Sequence, residues 1–322
     1  MLPDFRYVRP ASLSEAIKEL SAPEARLHAG GTDLLGCLRD GVFSARKLVS
    51  VSSVAELRGI APAAGGGLRI GALSTLAEIA SHRTIAEQYS ALAQAAASAA
   101  SPQLRNQGTL GGNLCQRPRC WYFRGDFHCF RKGGEMCYAP KGENEFHCIF
   151  GGDGCYMVHP SDLAPALIAL EARARIAGPK GRRMVPLDSF FVPPSKDITK
   201  ETVLEQGEIL TEVLLPPPAA LRSTYRKARV RASWDFALAG VAVALRTKGD
   251  TIGSARVVLS GVAPVPWRAV AAEQALLNRR VDAATAAEAA VHAVAGAEPL
   301  PQNGYKVDLV RGIVEEALLA LA

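Results

Sequence analysis

Six of the seven cysteines in this 322-residue chain fall between residues 115 and 155, in a segment without helical or strand periodicity. A thiolate is both a nucleophile and a soft metal ligand, so such a group indicates metal binding or redox chemistry, unless the thiols are simply buried. The segment follows a glycine-rich stretch and is rich in arginine, lysine, glycine and acidic residues. Its cysteines are Cys115, Cys120, Cys129, Cys137, Cys148 and Cys155.

Three kinds of site compete for these thiols. Structural zinc usually takes close C-x₂₋₄-C pairs, and no CxxC occurs here, although His128, His147 or His159 could add a nitrogen ligand. Buried free thiols need apolar neighbours, which this polar segment lacks. An iron–sulfur cluster needs four thiolates, which an irregular loop can deliver from distant positions. The composition favours a cluster, but the spacing alone does not select four cysteines of the six.

Two paired-glycine stretches precede the cysteines, AGGTDL at 29–34 and TLGGN at 109–113. Glycine tolerates positive φ and has no Cβ, so main-chain N–H groups beside it can approach a bulky anion. Neither stretch fits GxGxxG or the Walker A pattern, which argues against a nicotinamide-type Rossmann domain and a P-loop. Double glycines also occur in ordinary tight turns. Two of them, the first followed by Thr32 and Asp33 and the second flanked by Asn106, Thr109 and Asn113, predict a diphosphate clamp.

Short strands and helices alternate around these stretches. Capping-box spacing at Ser12 and Glu15 predicts one helix start, and Ser74 or Thr75 with Glu78 predicts another. KLVSVSSV, FALAGVAVALRTK and SARVVLSGVA read as strands.

Prolines punctuate the remainder of the chain. An alanine-rich helix is predicted over 86–100, with Pro102 marking its end. The run PPP at 216–218 predicts a domain boundary near 217–222.

The length is sufficient for two or three domains, and 48% hydrophobic with 21% charged residues is typical of a folded protein. The net charge is +6, and the lysines and arginines are scattered along the chain. The one dense basic run, at 225–233, is too short to indicate nucleic-acid binding. No run of eighteen apolar residues predicts a membrane span, and the start lacks a secretory signal. We therefore expect a cytoplasmic protein with reduced thiols, periplasmic only if a signal-bearing partner exports it.

Four motifs lie in one order along the chain: HAGGTDLL, RNQGTLGGNL, HPSDLAPAL and YRKAR followed by WDFALAGVAVAL. Together they resemble the FAD-binding medium subunit of the xanthine dehydrogenase and aldehyde oxidase family of molybdenum hydroxylases, over nearly the entire chain. The cysteine segment is similar to an insertion in one branch, typified by periplasmic-type aldehyde oxidoreductases and 4-hydroxybenzoyl-CoA reductase. In that branch the insertion carries a [4Fe-4S] cluster beside the flavin.

The resemblance implies an α+β fold. It would consist of a two-part FAD-binding domain of the vanillyl-alcohol-oxidase and CO-dehydrogenase flavoprotein type, followed by a smaller α/β C-terminal domain like that of CO-dehydrogenase flavoproteins. The first domain would cover 1–217, with an N-terminal lobe at about 1–60, a second lobe at about 61–217 and the cysteine-rich insertion at 115–155. The second would cover 218–322.

The resemblance also implies the FAD contacts. One half of the diphosphate cradle would be Ala29, Gly30, Gly31, Thr32, Asp33 and Leu34, and the other half Asn106, Gly108, Thr109, Gly111, Gly112 and Asn113. Ser161 and Asp162 would contact ribityl or ribose hydroxyls, and Leu210 and Val213 would lie near the flavin or adenine ring. Lys227 would stand at the isoalloxazine edge, where a cation favours the anionic reduced flavin.

For the cluster, RCWYFR, HCFRKGGEMCYA and GCYMVHPSD look like the motif of that branch. The implied ligands are Cys120, Cys129, Cys137 and Cys155. Cys115 and Cys148 stay open as substitutes, Cys115 being the stronger because it adjoins the glycine stretch. Cys37 has no implied role and is expected to be a small buried hydrophobe.

The implied function is that of an electron-transfer flavoprotein subunit with no catalytic residue for the organic substrate. It would pass electrons between [2Fe-2S] clusters on a small subunit, its own FAD and [4Fe-4S] cluster, and an external acceptor. A molybdenum-cofactor large subunit would hold the substrate, in a dimer of heterotrimers. Two alternatives are a stand-alone FAD oxidoreductase with a zinc-stapled loop, and a non-enzymatic assembly subunit without flavin.

Overall fold

The computed structural model describes residues 1–322 and begins with a small parallel sheet in the strand order β1-β3-β2. Its strands are β1 (Arg6–Val8), β2 (Ala25–His28) and β3 (Lys47–Ser50), connected by helices α1 (Leu13–Leu20) and α2 (Leu34–Arg39). Parallel neighbours require such crossover helices. Ser12 caps α1 by accepting a hydrogen bond from Glu15 N, as its spacing predicts.

A five-stranded antiparallel sheet in the order β4-β5-β8-β6-β7 follows. Its strands are β4 (Ile60–Pro62), β5 (Leu68–Gly71), β6 (Arg173–Gly178), β7 (Gly181–Pro186) and β8 (Ile209–Leu215). The helices inserted between β5 and β6 are α3 (Leu76–Ser81), α4 (Arg83–Gln88), α5 (Ser90–Ser98), α6 (Pro102–Gln107), α7 (Leu110–Leu114), α8 (Trp121–Arg124) and α9 (Leu163–Ala169). Thr75 and Glu78 form the predicted capping box of α3.

The prediction of one continuous alanine-rich helix over 86–100 is wrong. This segment divides into α4 and α5 at Tyr89, whose ψ of 49° is not helical and whose hydroxyl donates to Pro216 O at 2.7 Å. Pro102 begins α6 rather than ending a helix, because proline fits the first turn, where its missing N–H would have no partner.

The C-terminal part is a four-stranded antiparallel sheet in the order β12-β11-β10-β9. Its strands are β9 (Leu221–Ala228), β10 (Ala239–Lys248), β11 (Thr251–Ser260) and β12 (Trp267–Arg268), followed by helices α10 (Val270–Leu276), α11 (Ala283–Ala293) and α12 (Tyr305–Leu319). Val241 and Val243 of β10 pack with residues of α10–α12, whereas Ala242 and Ala244 pack with residues of α5 and α9. Burial on both faces explains why β10 reads as a continuous apolar run.

The cysteine-rich insertion at 115–155 contains no strand. Its regular structure is α8 and two single-turn 3₁₀ helices at Phe130–Lys132 and Ala139–Lys141. Its far end joins the C-terminal sheet, where the N–H groups of Ile149 and Phe150 both donate to Val262 O. Along the whole chain, no helix has the length and apolar character needed to cross a bilayer. The predicted domain limits stay a prediction.

Candidate functional site

The first glycine stretch contacts the residues immediately before the second, Gln107 and Gly108. A Cβ added to Gly30 would lie 2.0 Å from the carbonyl oxygen of Gln107, which is closer than any side chain can approach. Gly31 has a φ of +75°, a conformation that favours glycine. The end of β2 and the junction between α6 and α7 therefore meet, although 76 residues separate Gly31 from Gln107 in the sequence.

The second stretch departs from the predicted turn. Thr109 caps α7 by accepting from Gly112 N at 3.2 Å, and neither Gly111 nor Gly112 has positive φ. The reason for glycine here is space, since a Cβ on Gly111 would lie 3.1 Å from Ala72 Cβ. The predicted positive φ is present in the first stretch, at Gly31, and absent from the paired glycines of the second.

Three neighbouring cavities open around these stretches. The first, about 440 Å³, has the first glycine stretch, Gly111 and Gly112 in its wall, together with Arg26 and Phe43. The second, about 500 Å³, lies between the glycines and the β9–β10 loop. The third, about 290 Å³, extends from Asp162 to Trp121 in the insertion. Together they form the long, partly apolar cleft that an extended dinucleotide requires.

Most of the predicted FAD contacts line this cleft. They are Ala29, Gly30, Gly31, Thr32, Asp33, Leu34, Gly108, Thr109, Gly111, Gly112, Asn113, Ser161, Asp162 and Leu210. Three do not. Asn106 is exposed on α6, Val213 is buried in the core of the five-stranded sheet, and Lys227 contacts Asp162 instead of a cavity.

The carboxylate of Asp33 ties the glycine stretch to the start of the insertion. Its Oδ1 accepts from Nη2 of Arg124 at 2.7 Å and pairs with Nη2 of Arg119 at 2.9 Å, while Oδ2 accepts from Arg117 N at 2.8 Å. Asp33 precedes α2 without capping it, because its side chain faces the insertion. Arg119 and Arg124 line the second cavity and were not predicted, since nothing in the local sequence links them to an aspartate about ninety residues away.

A buried network holds Asp162 between the two halves of the chain. Lys227 Nζ lies 2.8 Å from Asp162 Oδ2, and the Tyr225 hydroxyl donates to Oδ1 at 2.7 Å. Burial and the neighbouring carboxylate raise the pKa of Tyr225 well above its ordinary value, so it remains a donor. The hydroxyl of Ser161 donates to Asn113 Oδ1 at 2.5 Å, which joins this network to the second glycine stretch.

Two exposed aromatic residues of the β9–β10 loop border the second cavity. Trp234 N–H donates to Ala100 O at 3.1 Å, which fixes the loop over the opening. The Arg119 guanidinium lies 5.1 Å from the centroid of the Phe236 ring.

Four cysteines of the insertion surround one small cavity of their own. They are the four predicted ligands, Cys120, Cys129, Cys137 and Cys155. Cys115 lines the first cavity of the cleft instead, and Cys148 lines neither. All seven thiols of the chain are free, and no three His, Cys, Asp or Glu side chains converge on a point that could hold a single metal ion.

The four thiols around this cavity have buried surroundings. Burial raises the pKa of Cys120 to about 12, so bound iron would have to displace its proton. His147 Nε2 lies 3.3 Å from Cys120 Sγ. Arg131, only 4% exposed, lines the same cavity, and its Nε and Nη2 have no hydrogen-bond partner. Four thiols with the buried guanidinium of Arg131 beside them would suit an anionic iron–sulfur cluster.

Two family descriptions match consecutive parts of the chain. Residues 3–218 match the FAD binding domain in molybdopterin dehydrogenase, and residues 223–321 match the CO dehydrogenase flavoprotein C-terminal domain. Both domain types occur in the predicted order, which confirms the predicted fold class.

Similar proteins extend over the full length of the chain. The aldehyde oxidoreductase FAD-binding subunit PaoB of Escherichia coli strain K12 is 36% identical, over 98% of this chain and 97% of that protein. The carbon monoxide dehydrogenase medium chain of Hydrogenophaga pseudoflava is 30% identical, over 99% and 97%. The solved structure of carbon monoxide dehydrogenase from that organism superposes with a TM-score of 0.78, at 30% identity, over 99% of this chain and 97% of that one.

Proposed function

Since this chain belongs to the xanthine dehydrogenase and carbon monoxide dehydrogenase family as an FAD-binding medium subunit, we propose that it passes electrons between iron–sulfur clusters of a partner subunit, FAD and an external acceptor. Like its relatives it is an oxidoreductase subunit, and the organic substrate reacts elsewhere in the complex. The observation that carries the proposal is that both glycine stretches line the same cavity of the cleft.

Different residues of the cleft would contact different parts of FAD. Main-chain N–H groups at Gly30–Thr32 would bind the diphosphate, supported by the guanidinium groups of Arg119 and Arg124. Gly111 and Gly112, whose own N–H groups donate to Ala72 O and Thr109 Oγ1, would leave room for it in the cavity wall. Asp162, held by Lys227 and Tyr225, would orient ribityl or ribose hydroxyls. Trp234 and Phe236 would exclude water from the ring end. When bound, FAD supplies a centre that accepts and donates electrons one or two at a time.

The insertion would hold a [4Fe-4S] cluster on Cys120, Cys129, Cys137 and Cys155, which would serve as a one-electron carrier beside the flavin. The shared cavity supports this ligand set over one with Cys115 or Cys148. Asp33 would fix the FAD site relative to the cluster site, because it belongs to the first glycine stretch and accepts hydrogen bonds from Arg117 and Arg124 of the insertion.

We further propose a molybdenum-cofactor large subunit and a [2Fe-2S] small subunit as partners, in a dimer of heterotrimers. The support is that relatives matched over nearly their whole length are described as medium chains or FAD-binding subunits. The free thiols are consistent with cluster assembly in a reducing cytoplasm. The polypeptides that co-purify with the chain test this arrangement.

Cofactor analysis of the purified protein tests the proposal directly. We expect one acid-released FAD per chain, and about four iron and four sulfide from the insertion beyond those of any partner. Zinc without sulfide, with turnover in the absence of partners, would support the stapled-loop oxidoreductase instead. A colourless protein that retains neither flavin nor iron would contradict the proposal and support an assembly role.

A further inference from the structure

The wall of the four-cysteine cavity contains one cationic side chain that is almost completely buried. Arg131 follows Cys129 by two residues, and 4% of its surface is exposed. A buried guanidinium is costly unless its charge and its N–H groups all find partners. The partners of Arg131 therefore indicate what the cavity is built to hold.

Only part of this guanidinium is satisfied by the protein. Nη1 donates to Glu201 Oε1 at 2.7 Å and contacts Lys200 O at 3.3 Å. Nε and Nη2 are buried without a hydrogen-bond partner, and Arg131 lines the same cavity as Cys155. Unpaired buried donors are rare in native proteins, because each one loses its hydrogen bonds to water without replacement. The acceptors still missing are those that thiolate and sulfide sulfurs would supply.

Glu201 balances the other side of Arg131. Its carboxylate is about nine-tenths buried and also pairs with Arg117 Nε at 2.9 Å through Oε2. Arg117 and Glu201 line the first cavity of the flavin cleft, whereas Arg131 lines the cysteine cavity. A chain of ion pairs, Arg117–Glu201–Arg131, therefore runs from the cleft to the cavity that Cys155 lines.

Given the cluster assignment made under the proposed function, we infer that Arg131 is a positioning residue for the cluster. It donates N–H···S hydrogen bonds to the cluster at Cys155 and raises the reduction potential of the cluster. Glu201 is the counter-charge that limits this rise. Reduction adds one negative charge to the cluster. A buried cation and hydrogen bonds to sulfur stabilise that charge, and a nearby carboxylate opposes it. Because Arg131 and Glu201 are both buried, solvent does not screen the effect of either charge.

The inference predicts shifts of opposite sign in the midpoint potential of the [4Fe-4S] cluster. Arg131→Gln removes the cation and should lower the potential, while Glu201→Gln removes the anion and should raise it. Arg131→Lys keeps the charge but loses the planar fork of donors, so its potential should fall by less than that of Arg131→Gln. Lys141→Gln makes the same charge change at an exposed position of the insertion and should leave the potential unchanged.

The measurement is a redox titration followed by EPR on the wild type and the four variants, each purified with its partners and assayed for iron and sulfide. Iron-free wild-type protein would refute the cluster itself. A wild type with its cluster but no shift in either Arg131→Gln or Glu201→Gln, or shifts of the same sign, would overturn this inference alone. If Arg131→Gln fails to assemble the cluster, the potentials of Glu201→Gln and Arg131→Lys still test the inference. A purely structural role for Arg131 predicts no rise in the potential of Glu201→Gln.

Discussion

At the scale of single residues, the cysteines separate by position. Four share one cavity, whereas Cys115 lines the proposed flavin cleft and Cys148 is buried without lining either. The family motif selects the same four, but their binding of iron stays a prediction. The spacing of the cysteines alone could not have identified these four. The insertion has no helical or strand periodicity from which to predict which thiols face one another.

Replacing Cys137 by serine should remove the cluster and leave FAD in place, because Cys137 lines only the cysteine cavity. Iron and sulfide should drop to the level of the partner clusters, with one FAD per chain retained. Cys148→Ser is the matched control and should keep its full iron content. If Cys137→Ser keeps its iron while Cys148→Ser loses it, the ligand assignment is wrong.

Lys306 is a second residue with an unusual setting. It is fully buried on α12, and Nζ donates to Gly261 O at 2.7 Å and to Phe146 O at 3.1 Å. Burial lowers the pKa of Lys306 to about 7. In the unfolded chain its pKa returns to about 10.4, so between these pH values the unfolded state binds more protons.

The free energy of unfolding should therefore rise with pH from about 7 to about 10, by up to about 1.4 kcal/mol per pH unit from this residue, and this contribution should be constant below 7. Urea unfolding across the range measures it. Lys306→Met should lack the slope, and the exposed control Lys248→Met should keep it. Equal slopes for wild type and Lys306→Met would contradict the lowered pKa.

At the scale of elements, the glycine stretches act through packing as much as through conformation. Gly111 lies in α7 with ordinary φ, and its missing Cβ leaves room for Ala72. Gly111→Val should therefore push α7 away from the five-stranded sheet, at a cost of about 1–3 kcal/mol.

The expected outcome for Gly111→Val is loss of FAD with the cluster retained, measured as flavin and iron content of the same preparation. Gly312→Val is the control, since Gly312 is also helical but has nothing within 4 Å of an added Cβ. Full FAD retention by Gly111→Val would show that this approach is not needed for binding.

The sequence predicts elements well where the cause is local. The caps at Ser12 and Thr75 and the doubly buried strand β10 follow from spacing and composition. The break at Tyr89 does not, because it accompanies a hydrogen bond to Pro216, 127 residues away. Likewise the ion pairs of Asp33 join segments that only the fold brings together, so Arg119 and Arg124 carried no local signal.

At the scale of the whole molecule, a single buried ion pair crosses the predicted domain boundary. Asp162 at the start of α9 and Lys227 on β9 have side chains that are 7% and 3% exposed, and their atoms lie 2.8 Å apart. Tyr225 adds a hydrogen bond to the same carboxylate. This network therefore links the C-terminal sheet to the residue that lines two cavities of the flavin cleft.

Removing one partner of a buried pair leaves an uncompensated charge, which typically costs about 3–5 kcal/mol. Lys227→Met should lower the free energy of unfolding by about this amount and weaken FAD retention, because Asp162 would lose the contact that orients it. Urea unfolding and FAD titration of the apoprotein measure the two effects. Arg280→Met breaks an exposed pair, with Asp250 at 2.8 Å, and should cost no more than about 1 kcal/mol with unchanged FAD affinity. Similar losses in the two variants would mean that the buried pair does not hold the two halves of the molecule around the flavin.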